Sequence, residues 1–87
     1  MITTRRRNLP KLLEVYYEIQ KYEVINHIRP SMKKLVELGC GASTSVISHY
    51  FKEMVELGMA EYVPNGNVYL LPLQSAHPKI VELARMK

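Results

Sequence analysis

The chain of 87 residues has no aspartate, a single cysteine and no apolar run near the ~20 residues that cross a membrane. One cysteine, Cys40, excludes an internal disulfide and a cysteine-rich zinc site. The missing aspartate is joined by two other absences, a phosphate-binding glycine loop and a metal-spaced cluster. Serines do lie near His49, but on the same predicted helix, where no third residue orients a base. An enzyme is therefore not expected, and neither a cofactor nor a small-molecule substrate is implied. The arginines near the N-terminus have no apolar region behind them of the kind a signal peptide needs. A cytoplasmic protein without a membrane segment is the expectation. There are no internal repeats and no low-complexity segment.

What is present is an apolar fraction of 47%, enough to fold one domain with a modest core. The formal net charge is +4 and is unevenly placed. Residues 1–34 hold eight of the 12 Lys and Arg against three glutamates, while the remainder holds four against five. A basic half on a small domain attracts polyanions by displacing their counterions. Ordinary solubility is the alternative use of such charge.

Taken in order, residues 1–8 form a basic arm carrying Arg5, Arg6 and Arg7. Asn8 can cap a first helix with Pro10 in its first turn, where a missing N–H is tolerated. Leu9, Leu12, Leu13, Tyr16 and Ile19 recur at intervals of three and four, so that helix runs from Leu9 to Glu23. The β-branched stretch Val24-Ile25-Asn26-His27-Ile28-Arg29 breaks the period before Pro30, which predicts a short strand or extended crossing at His27 to Arg29. Ser31 caps a second helix with Met32, Leu35, Val36 and Leu38 on its apolar side; Lys33 and Lys34 stay outside, and Gly39 ends it. After the turn Cys40-Gly41-Ala42 comes a third helix, capped by Ser43 or Thr44 and closed by Gly58. Its apolar stripe is Ile47, Phe51, Met54 and Val55. Its other face offers Thr44, Ser45, Ser48, His49 and Lys52, with no negative charge until Glu53 and Glu56. Two short helices joined by a glycine-containing turn read as a helix-turn-helix. Alternating residues on either side of Pro64-Asn65-Gly66-Asn67 then predict a hairpin, closed by a type I turn with a Gly66 bulge or by a type I′ turn at Asn65-Gly66. A last helix starts at Pro78, behind His77 or Ser75, with Ile80, Leu83 and Ala84 on one face.

This order predicts a mainly α, α+β fold: a winged helix-turn-helix of three helices with a two-stranded wing hairpin over residues 9–73, and a short C-terminal helix over 74–87. A helix that short is marginal alone, so it docks on the domain or on a second copy; a homodimer would double a small DNA footprint.

Several residues also resemble one family. Arg5-Arg6 ahead of the first helix, His27-Ile28-Arg29-Pro30-Ser31, Leu38-Gly39, Ser43-Thr44-Ser45-Val46 and Leu57-Gly58 before a strand look like the DNA-binding domain of LexA-type SOS repressors. The likeness covers residues 4–71. Helix two is about one residue shorter, and the following turn about one longer, than the family pattern. The wing tip has no Lys or Arg, and the family's self-cleaving domain has no counterpart in these residues. The resemblance implies a third helix that enters the major groove and reads bases with its early residues. Carried over by position, it implicates Ser43, Thr44, Ser45, Ser48, His49 and Lys52.

The expected function is sequence-specific binding of double-stranded DNA by a small transcriptional regulator. Lys33 and Lys34 would hold phosphates, and Arg5, Arg6 and Arg7 would hold phosphates or enter a minor groove. The alternative is a winged-helix module for protein–protein contact in a larger assembly, which the chargeless wing and Glu53, Glu56 and Glu61 favour.

Overall fold

Asn8 starts the first helix by accepting the Lys11 backbone N–H on its Oδ1 at 3.1 Å. From there α1 runs Leu9–Asn26. It is followed by α2 (Met32–Glu37), α3 (Thr44–Glu56), β1 (Ala60–Tyr62), β2 (Val68–Leu70), a 3-10 turn (Leu73–Ser75) and α4 (Pro78–Arg85). The structure is a computed structural model and describes residues 8–64 and 67–86. Asn65 and Gly66, on which the turn assignment rests, lie outside the described residues, as do Arg5, Arg6 and Arg7.

Helix α1 is longer than its periodicity predicts. It continues through Val24 and Ile25 to Asn26, whose Nδ2 donates to the Tyr22 carbonyl at 3.1 Å. Of the short strand or extended crossing expected at His27 to Arg29, no strand forms. β-branched residues lower helix propensity only slightly, whereas a strand here would need a partner for its backbone N–H and C=O groups. His27 stops the helix instead, in the left-handed conformation at φ 60°. Pro30 is buried, and its carbonyl accepts from Asn67 Nδ2 at 3.0 Å, which ties the α1–α2 connection to the turn end of the hairpin.

Helices α2 and α3 end in the same way. The Gly39 N–H donates to the Val36 carbonyl and the Cys40 N–H to that of Leu35, both at 3.0 Å. The Gly58 N–H donates to Val55 at 3.1 Å and the Met59 N–H to Met54 at 2.8 Å. Both are Schellman ends, with the glycine at φ +86° and +78° respectively. Each brings together a buried pair, Cys40 with Leu35 and Met59 with Met54.

The strands pair antiparallel with Ala60 opposite Leu70, Glu61 opposite Tyr69 and Tyr62 opposite Val68. Ala60 and Val68 are buried toward the helices, and Glu61 and Tyr69 face out. One core collects Leu12, Leu13, Tyr16 and Ile19 of α1, Leu35 of α2, Ile47, Phe51 and Met54 of α3, and Ile80 of α4. Burying a side chain of the size of Leu, Ile or Phe stabilises by about 1.5–3 kcal/mol. The Tyr16 hydroxyl reaches from α1 to donate to the Leu71 carbonyl at 2.7 Å, just past β2. Burial, and behind it the charges of Tyr17 and Glu23, raises the pKa of that phenol above its ordinary value, so it keeps its donor proton.

Helix α4 begins at Pro78, capped by His77, whose Nδ1 accepts from the Lys79 N–H at 3.1 Å. It packs on α1 and on the 3-10 turn, with Ile80 fully buried and Leu83 and Ala84 half-buried. The surface that this short helix needs is thus supplied within the chain. No described helix is long and apolar enough to cross a membrane.

The two helix-ending glycines should respond unequally to alanine. A Cβ at Gly39 meets nothing within 4 Å, so only the left-handed backbone is penalised, by about 1–2 kcal/mol. A Cβ at Gly58 also comes within 3.3 Å of the Ser75 carbonyl oxygen and 3.4 Å of Ala76 Cα. Gly58→Ala should therefore lower the urea midpoint more than Gly39→Ala, with the slope unchanged in both. The reverse order would contradict the packing of the 3-10 turn on the end of α3.

Candidate nucleic-acid interface

Helix α3 is two-sided. Ile47, Phe51 and Met54 are fully buried, while Thr44, Ser45, Ser48, His49 and Lys52 are all exposed. The difference follows from spacing: residues three and four apart share a face of the helix, and the two sets are offset by about half a turn. At 13 residues the helix is ~20 Å long, a few turns of readable surface.

Its N-terminus is set by Ser43, not Thr44. Ser43 lies in extended geometry, and its Oγ accepts the Val46 N–H at 3.4 Å. The hydroxyls of Thr44 and Ser45 are left on the exposed first turn. No acidic residue occupies the first turn of either α2 or α3. The partial positive charge of each helix N-terminus is therefore not cancelled by its own side chains. Ser31 caps α2 in the same manner, its Oγ accepting the Lys34 N–H at 3.0 Å.

The cations expected to hold phosphates are placed unequally. Lys33 is exposed, and so is Lys52. Lys34 turns along its own helix to Glu37, Nζ to Oε1 at 3.1 Å. The hydrogen bond and charge of Glu37 raise the Lys34 pKa, so it stays cationic, but part of its charge is answered inside the protein. Arg5, Arg6 and Arg7 lie outside the described residues.

Two features escape the sequence reading. Glu53, expected with Glu56 on the polar side of α3, is buried at its edge, and its Oε2 lies 3.4 Å from His49 Nε2. The signal was available, because His49 and Glu53 are four apart on one helix. The second is an exposed apolar group at the end of α1: Val24, Ile25 and Ile28 are 70%, 65% and 61% exposed. Cys40 is buried, and burial is the largest cause raising its thiol pKa, so it is held as the neutral, unreactive thiol. Among the described residues, no three of His, Cys, Asp and Glu are grouped to hold a metal ion.

The chain matches no family model, and no curated protein or solved structure is significantly similar to it. The likeness to LexA-type repressors therefore rests on the short motifs that carry it.

Capping and surface roles separate by stability. Ser43→Ala should cost about 1 kcal/mol, the usual effect of losing a helix cap. Ser45→Ala, Ser48→Ala and Lys52→Ala should each stay within about 0.5 kcal/mol, since those side chains are exposed. Thermal melts check both. A large loss from Ser48→Ala would mean that the polar face of α3 is structural.

Proposed function

We propose that the chain is a winged helix-turn-helix protein that binds double-stranded DNA sequence-specifically, as a small transcriptional regulator. The observation that carries this reading is α3. Ile47, Phe51 and Met54 on its apolar side are committed to the core, with Val55 half-buried beside them, and its other side presents hydroxyls, an imidazole and an ammonium from one helix. A helix of this width fits the major groove, where serine and threonine serve as donor or acceptor and lysine reaches guanine or phosphate. The α2–α3 pair supports the same reading, with α2 packed on α3 and Lys33 exposed on its first turn. In this arrangement Lys33, and Lys34 in competition with Glu37, hold phosphates while Ser45, Ser48 and His49 face base edges. The hairpin at Ala60 to Leu70 is the wing; its described residues include no Lys or Arg, so its part in gripping phosphate is small. A homodimer is not needed to cover α4, whose apolar face packs within the chain.

A second reading, protein–protein contact, is favoured by one observation: the exposed Val24, Ile25 and Ile28 group. Large apolar side chains exposed close together in the chain are a common feature of interaction sites.

A selection on random duplexes, followed by salt titration of the selected site, separates the two. The DNA reading expects log affinity to fall steeply with log salt. Lys33→Ala should weaken all sequences alike and reduce that slope by about one unit. Ser48→Ala with His49→Ala should leave the slope nearly intact and narrow the gap between target and random DNA by about 1–3 kcal/mol. An unchanged target preference in that double variant would remove α3 as the reader and bring the protein-contact reading forward.

A further inference from the structure

The contact between His49 and Glu53 has a consequence for what α3 can read. The Glu53 side chain is 12% exposed, against 48% for His49. Its carboxylate is therefore held at the edge of the core while the imidazole stands out on the polar face. An ionised carboxylate accepts and has no proton to give. A neutral imidazole carries one proton, which resides on the nitrogen that faces the better acceptor. That nitrogen is Nε2, 3.4 Å from Glu53 Oε2.

We propose that His49 is a specificity-determining residue whose hydrogen-bonding sense is fixed by Glu53: Nε2 keeps the ring proton, and Nδ1 is presented to the major groove as an acceptor. This rests on the DNA-binding reading above and extends it to the chemistry of one contact. An acceptor in the major groove pairs with an exocyclic amino group, N4 of cytosine or N6 of adenine. It is repelled by O6 and N7 of guanine and by O4 of thymine, which are acceptors themselves. Glu53 acts as a positioning residue, touching no base. Replacing it by alanine releases the sense, because Nε2 then faces no carboxylate and the ring proton can sit on either nitrogen.

The test combines two measurements on the full chain. Nitrogen-15 NMR of the imidazole at about pH 8.5, above the ordinary histidine range, should show the Nε2–H form in the free protein. The Glu53→Ala variant should raise the Nδ1–H fraction. Duplex selection should give cytosine or adenine at one position, favoured by about fivefold, the low end for a base contact because one nitrogen makes one bond. That preference should vanish in His49→Ala, a change at an exposed position, and weaken in Glu53→Ala. An Nδ1–H tautomer in the unmodified protein overturns the proposal without any variant having to fold. So does an unchanged base preference in a folded Glu53→Ala protein that still selects a site. Failure of the unmodified protein to prefer any duplex overturns the DNA reading itself, a result distinct from the other two.

Discussion

The corner at Leu57, Gly58 and Met59 is the constraint on which the rest of the molecule depends. Helix α3 ends there, β1 begins one residue later, and two later segments return to it. The His77 N–H donates to the Leu57 carbonyl at 2.8 Å, and the Leu71 N–H donates to Met59 at 3.0 Å. The Gly58 backbone lies so close to Ser75 and Ala76 that a Cβ has little room. Tyr16 closes the circuit by donating from α1 to the Leu71 carbonyl. Every element but α2 is thus tied within a few residues of one backbone turn, and α2 joins through its packing on α3.

This arrangement holds α3 by its C-terminal end and by its apolar side. The N-terminal half is left to present Thr44, Ser45, Ser48 and His49 outward. The proposed base reading by short hydroxyls would need such anchoring, because a serine reaches only a few ångströms and gains little from each bond. The same logic underlies the role proposed for His49. It sits where the polar face meets the core, so a buried carboxylate can fix its orientation while the ring remains accessible.

Much of this was legible in the sequence because punctuation residues act locally. Ser31, Ser43, Gly39, Gly58 and Pro78 each mark a helix end through a backbone requirement that few residue types meet, and each lies at the expected end. The stripe of Ile47, Phe51 and Met54 was legible for the same reason, since burial follows the helical period. The helical course of Val24 to Asn26 and the lack of a strand after it were missed because β-branching reports a weak preference, while strand formation depends on a neighbour that sequence does not display. The burial of Glu53 was missed because charge argues for the surface, and only the position on the helix circumference reveals a side chain at the rim of the core. The ties from Asn67 to Pro30 and from Tyr16 to Leu71 span 37 and 55 residues, and no local pattern announces them.

The most direct test of the central claim is an NMR titration of the folded protein with a duplex taken from selection. The account predicts that the largest changes fall on Thr44, Ser45, Ser48, His49 and Lys52, with smaller ones on Lys33. Changes confined to Val24, Ile25 and Ile28, with α3 unaffected, would contradict it.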